Sequence, residues 1–307
     1  MLESDPDIRS TLNDARSAGV NALDVTVVPA FFPVASALIA SESARTVLLV
    51  ASTYREAEQL TTEVGSLLGS DQVAYFPAWE TLPHERLSPN AETVGKRLAV
   101  LRRLAGANGE DQVPQVVVAP VRSLLQPQVK DLAAMKPVEV TKGQERDLSE
   151  LAKELVAAAY HRVDMVERRG EFAVRGGILD VFPPTHEHPV RIDFFGDEVE
   201  ELRLFTVADQ RSTDQLLKTV TAAPCRELLL TDAVRERAKN LTRQHPELAD
   251  MLERIAQGQY VEGMEALTPV LADGLEMLVD VLPPSSVVIA ASPELVRARA
   301  AELVTTS

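Results

Sequence analysis

The sequence predicts an α/β protein with a smaller, mainly antiparallel α+β insert. Strand-like and helix-like segments alternate up to Ala119, the pattern of a parallel sheet with helices on both faces. Five short strand-like segments then crowd between Val163 and Phe205, and strands so closely spaced are expected to pair as antiparallel neighbours. Helical patterns return after Pro224.

Each element has a local reason. Ala22–Val28 is short, apolar and β-branched and reads as a first strand, with a helix over Phe31–Ala40 opening after Pro29. Thr46–Ala51 is a continuous apolar run, as expected of a strand covered on both faces. Ser52 or Thr53 caps the next helix, whose apolar positions Ala57, Leu60, Val64, Leu67 and Leu68 recur at helical spacing. Val73–Phe76 and Gln115–Ala119 read as strands around a helix over Glu92–Ala105. The pattern breaks near Pro137. Leu148–Tyr160 is an amphipathic helix, and strands follow at Val163–Glu167, Glu171–Arg175, Ile178–Phe182, Val190–Phe195 and Val199–Leu204. Arg169-Gly170, Gly176-Gly177, Pro183-Pro184 and Gly196-Asp197 supply the turns between them. Helices over Asp232–Arg243, Pro246–Gln257 and Pro293–Val304 complete the chain, with one strand at Ser286–Ala290.

Composition excludes several functions. With 307 residues, two or three domains are expected. The 31 basic residues against 46 acidic ones give a net charge of -15. Such a chain is poorly suited to non-specific duplex binding, which Lys and Arg drive by neutralising phosphates. A lone cysteine, Cys225, leaves no internal disulfide and no multi-Cys zinc site, and a cytoplasmic setting is the natural one. The longest apolar stretch, Val27–Ala40, is broken by Pro29 and Pro33 and is too short for a membrane span. The acids Glu3, Asp5 and Asp7 open the chain where a signal peptide would carry basic residues. The sequence ends directly after a charged helix and reads as a fragment.

Evidence for catalysis is poor. A P-loop needs a Gly-rich turn followed by Lys-Ser/Thr, because backbone N–H groups and the lysine cradle the phosphates. The turn at Pro29–Pro33 has neither glycine nor lysine, and two of its residues lack an N–H. Asp197-Glu198 has the look of a helicase metal-binding pair but sits where a hairpin turn is expected. His186 and His188 lie in a proline-rich loop, His84 in a proline-flanked one, and Cys225 has no nucleophile signature around it. No cofactor and no metal site is read. Two rivals to an interaction module remain: an ATPase or helicase fragment with a degenerate P-loop, and a DNA-binding module.

Two segments rise above this background. Phe76-Pro77-Ala78-Trp79-Glu80-Thr81-Leu82-Pro83-His84-Glu85-Arg86 holds the only tryptophan, expected to plug a gap between sheet and loop. The second runs from Tyr160 to Glu200 and carries Arg162, Arg168, Arg169, Arg175 and Arg191 in an otherwise acidic chain. Arginines on neighbouring strands can share one face and anchor an interface.

Both segments, WETLPHERLSP and GEFAVRGGILDVFP with RIDFFGDEVEELRLF, resemble the N-terminal UvrB-homology region of bacterial transcription-repair coupling factors, the Mfd family. The resemblance covers essentially the whole chain. It implies one UvrB-like domain in two lobes, 1a over 1–136 and 1b over 225–307, with an inserted domain 2 over 137–224 that binds UvrA. It further implies a non-catalytic adaptor that recruits UvrA for transcription-coupled nucleotide excision repair. The family's polymerase-binding and ATP-driven translocase parts, with their RNA polymerase and DNA contacts, lie outside this chain. Domain 2 is expected to be masked by the C-terminal part of the full-length protein. The UvrA-contacting residues carry over as Arg162 and Asp164 in an Arg-x-Asp step, Arg175, and Arg191 with Asp193. The pattern's other arginine is Ala173 here, and its Arg-x-Glu acid is shortened to Asp193. The region between Phe76 and Val94 has none of the tyrosine-rich hairpin that UvrB uses to grip DNA.

Overall fold

A computed structural model describes residues 22–82, 85–106 and 113–306. It divides into two compact units: 22–76, 113–125 and 282–306 form one, and the remaining described residues up to 281 form the other. His84 and the early acids Glu3, Asp5 and Asp7 lie outside the described residues.

The first unit is built on a parallel sheet. Its strands are β1 (Val47–Ala51), β2 (Val73–Tyr75), β3 (Val116–Pro120) and a late strand, Val287–Ala290. β1 lies between β3 and the late strand, and β3 between β1 and β2. Every residue of β1 and β3 is buried, which explains their unbroken apolar sequences. The helix Tyr54–Leu68 starts at Thr53, whose hydroxyl accepts a hydrogen bond from the Glu56 N–H. It sets Ala57, Leu60 and Val64 against Leu49, Val116 and Val118.

The second unit carries β4 (Val138–Thr141), β5 (His161–Arg162), β6 (Glu171–Arg175), β7 (Ile178–Val181), β8 (Val190–Phe195), β9 (Glu198–Phe205), β10 (Ser212–Leu216) and β11 (Thr219–Ala222). β5 to β10 form a six-stranded sheet in sequence order, and β4 pairs with β11 as a separate ribbon. Residues opposite one another across a ladder share a face, so the register sorts the side chains. Phe172, Leu179, Val181, Val190, Ile192, Val199 and Leu202 form the inner face. The helix Leu148–Ala157, through Leu151 and Leu155, and the ribbon, through Val138, Val140 and Val220, cover it. Cys225 is buried in this core, where desolvation pushes its thiol pKa well up. Farther on, the helices Asp232–Thr242 and Ala249–Ala256 pack around Val234, Ala238, Leu252 and Ile255.

Three expectations need correction. Residues 22–28 form no strand; the sheet places β1 between two other strands and leaves that run unpaired. The strand expected over Val163–Glu167 is instead the short β5 just before it, because the Glu171 carboxylate accepts from the Glu167 and Arg168 N–H groups and turns the chain. β5 and β6, though close in sequence, pair parallel. The strands β4, β10 and β11 were not anticipated: β4 and β11 alternate buried and exposed residues over only four positions, and β10 is almost wholly exposed.

One buried polar network ties distant parts of the second unit together. Arg97, on the helix Ala91–Leu104, is fully buried. Its Nε donates to Glu227 Oε1 at 2.6 Å, Nη1 to the Pro77 carbonyl at 2.9 Å and Nη2 to Gln128 Oε1 at 3.2 Å. Trp79 Nε1 donates to the same Glu227 oxygen at 3.0 Å, and the guanidinium lies 5.8 Å from the Trp79 ring centre. The tryptophan therefore ties its loop to this ion pair instead of simply filling a gap. Removing one partner of a dry ion pair strands the other charge. Arg97→Met is accordingly expected to cost about 3–5 kcal/mol in urea denaturation followed by Trp79 fluorescence. A loss below about 1 kcal/mol would show that the pair is not dry.

Candidate functional site

The outer face of the six-stranded sheet has the opposite character to the inner one. Across the ladders, Arg175 stands opposite Ile178, Ala173 opposite Asp180, Asp180 opposite Arg191, and Asp193 opposite both Ile178 and Glu201. Arg203 faces Arg191 from β9. The face is thus an array of alternating charges on a rigid sheet, with Phe195 exposed at its hairpin end.

The array is organised by Asp180, which is 1% exposed. Arg191 grips it with a two-pronged fork, Nε to Oδ1 at 2.7 Å and Nη2 to Oδ2 at 2.9 Å. Arg175 Nη2 donates to the same Oδ2 at 2.8 Å. Arg191 is fixed further by the Phe205 ring, 4.9 Å from its guanidinium carbon, and by Nη1 contacts to the Gln210 carbonyl and Ser212 Oγ. The Arg175 side chain remains 51% exposed, against 17% for Arg191. Burial raises the Asp193 carboxyl pKa; Arg191 and Arg203 oppose that rise, while Glu201 and Asp180 add to it.

The turn between β6 and β7 makes this arrangement possible. Gly176 has φ of +60°, and Gly177 lies so close to β8 that a Cβ there would meet the Phe194 carbonyl oxygen at 3.1 Å. The Phe194 N–H donates to the Gly177 carbonyl at 2.8 Å. A tight two-residue turn thereby pins the Arg175 end of the hairpin against β8.

Arg162 and Asp164 lie beside this array at the sheet edge. With Val163, Val174 and Arg175 they line an open recess of about 490 Å³. β5 is two residues long and pairs only with Glu171 and Phe172, so β6 runs on past it into the recess without a strand on that side. Arg162 and Asp164 are exposed, and neither makes a side-chain hydrogen bond or ion pair with a described residue.

The five site residues expected from sequence therefore divide. Arg162, Asp164 and Arg175 meet at the recess, while Arg191 and Asp193 lie on the sheet face behind Arg175. Two expectations are refined. Arg175 projects at an edge, but it is tethered to Asp180, and Arg191 is mostly covered. Of the other clustered arginines, Arg169 turns elsewhere: it pairs with Glu92 and the His186 carbonyl and stacks on Phe182. Ala173 is buried with Val166, Phe182 and Phe205, a setting with no room for a solvent-facing arginine. Sequence reading missed Asp180. The available signal was an acid between the core residues Leu179 and Val181, which places it on the opposite face in register with Arg191. Asp197 sits in the turn between β8 and β9, and among the described residues no cluster of His, Cys, Asp and Glu is arranged to hold a metal.

Comparison with known proteins places this face in a family. A UvrB interaction domain matches residues 138–227, the stretch that folds from β4 through β11. The chain is 50% identical over 283 residues to the transcription-repair-coupling factor of Mycobacterium tuberculosis, covering 88% of this chain and 23% of that one. It belongs to the transcription-repair-coupling factor family. The family protein of Myxococcus xanthus is 38% identical over 229 residues (71% of this chain, 18% of that one). That of Escherichia coli is 33% identical over 190 residues (62% and 16%). The chain thus spans less than a quarter of the length of these transcription-repair-coupling factors. No helix among the described residues is long and apolar enough to cross a membrane.

The two arginines on Asp180 should separate in a stability measurement. Arg191→Ala leaves a buried carboxylate with one partly solvated partner and is expected to cost about 2–3 kcal/mol. Arg175→Ala leaves the Arg191 fork intact and is expected to cost about 1 kcal/mol or less. Chemical denaturation of both variants reads the difference; equal losses would mean that the two arginines share Asp180 evenly.

Proposed function

We propose that this chain is the UvrA-recruiting region of a transcription-repair-coupling factor, acting as a non-catalytic adaptor. The observation that carries the reading is the UvrB interaction domain over residues 138–227, whose outer sheet face carries Arg175, Arg191 and Asp193 with Arg162 and Asp164 at the edge beside it. A charge-patterned sheet favours a specific protein partner through electrostatic complementarity. In the whole protein, polymerase engagement and DNA translocation by an ATP-driven motor are assigned to parts beyond this chain, and masking of this face by the C-terminal part to control access. Arg162, Asp164, Arg175, Arg191 and Asp193 are the proposed UvrA contacts, with Arg175 the anchor because its guanidinium is both held and half open. Residues 137–224 form the proposed recruiting domain, between lobes at 1–136 and 225–307.

Calorimetric titration of this chain with UvrA tests the reading. Binding is expected, and Arg175→Ala should weaken it by about 2–4 kcal/mol, roughly 30- to 1000-fold. Arg175→Lys should recover part of the loss, since an ammonium cannot make the planar fork. Absence of binding by the unaltered chain, or an unchanged affinity in Arg175→Ala, would contradict the assignment. A second prediction concerns catalysis: with Pro29–Pro33 where a phosphate-cradling turn would be needed, an ATP analogue should leave the melting temperature unmoved.

A further inference from the structure

We propose that Asp180 is a positioning residue for UvrA recruitment, holding Arg175 at a fixed angle so that its free N–H groups meet an acceptor on the partner. The inference rests on the reading of the outer sheet face as the UvrA contact. A carboxylate this dry, in the middle of a sheet, is a costly choice if stability is the only end. Well-packed apolar residues of similar volume commonly do as well as a buried ion pair. Here all three hydrogen bonds to its oxygens come from two arginines on the flanking strands β6 and β8. Without it, two guanidiniums would sit side by side as unshielded like charges.

The two arginines are held to different degrees. Arg191 has both sides of its fork on Asp180, its remaining Nη1 on Gln210 and Ser212, and its face on Phe205. It acts as a fixed brace. Arg175 gives Asp180 only Nη2, and its Nε and Nη1 have no hydrogen bond to a described residue. These donors lie on the half-exposed part of the side chain, beside the recess shared with Arg162. Nη2 carries two N–H bonds, so with one on Asp180 the other still forms a planar donor pair with the free nitrogen on its side, and such a pair suits a carboxylate. Ordering the side chain before contact removes an entropy cost that a free arginine would meet on binding. That ordering corresponds to roughly tenfold in affinity.

A double-mutant cycle tests this. UvrA affinity is measured by calorimetry for the unaltered chain, Asp180→Asn, Arg175→Ala and the double variant, with circular dichroism and melting curves for each. Asp180→Asn is expected to fold and to weaken binding about tenfold. On the Arg175→Ala background the same substitution should change affinity by less than about threefold, since the side chain it positions is gone and Arg191 stays held by Phe205, Gln210 and Ser212. An Asp180→Asn affinity within about twofold of the unaltered chain overturns the proposal, as does an equal loss on both backgrounds, which marks a purely structural role. If Asp180→Asn does not fold, Asp180→Glu takes its place. It keeps the buried charge but moves it by one methylene, so binding should again fall, and an affinity within about twofold of the unaltered chain overturns the proposal. If the unaltered chain fails to bind UvrA, the functional reading itself falls. If it binds, and Arg175→Ala weakens it while Asp180→Asn does not, only this inference falls.

Discussion

A carboxylate almost shut off from water sits in the middle of the six-stranded sheet, and its neighbours are arranged around the need to neutralise it. Asp180 points away from the apolar core because Leu179 and Val181 point into it. Once there, it requires cations from both flanking strands, and the register supplies Arg191 directly opposite and Arg175 at the end of the hairpin. The remaining opposite position on β6 is a small buried alanine, Ala173. Phe205 and the Gln210 segment then hold Arg191 in place. The same constraint that satisfies the buried charge leaves Arg175 half held and half open.

A second dry ion pair has a different role. Arg97 and Glu227 are 130 residues apart, and with Trp79, Pro77 and Gln128 they join four chain segments in the second unit. Its charged and amide members, Arg97, Glu227 and Gln128, are all buried. A buried arginine facing inward and a half-exposed one facing outward thus sit in opposite settings, although they are chemically identical.

The sequence revealed most of what depends on periodicity and turn chemistry. The unbroken apolar runs of β1 and β3, the Thr53 cap, and the hairpins at Gly176-Gly177 and Gly196-Asp197 were all legible, because each is fixed by residues adjacent in the chain. The parallel pairing of β5 with β6 was not, since it depends on where the Glu171 carboxylate folds the intervening segment. The strand expected over Ala22–Val28 from its apolar, β-branched composition does not form. At the candidate site, the arginines announced themselves by charge in an acidic chain. Asp180 was marked only by its place between the apolar residues Leu179 and Val181, which gives its face but not its partners; those follow from the register that sets it between two guanidiniums. Likewise, Trp79 and Arg97 could be noticed individually but not joined, as their shared partner Glu227 lies far along the chain.

Under the proposed function, UvrA is met through the outer face of one sheet and the edge beside it. The most direct measurement is amide hydrogen exchange by mass spectrometry on this chain, with and without UvrA. The account predicts added protection concentrated in peptides covering 161–165, 173–180 and 190–195, with the parallel-sheet strands at 47–51 and 116–120 unchanged. Protection confined to the parallel-sheet unit, or its absence across 173–180 in a complex that demonstrably forms, would contradict it.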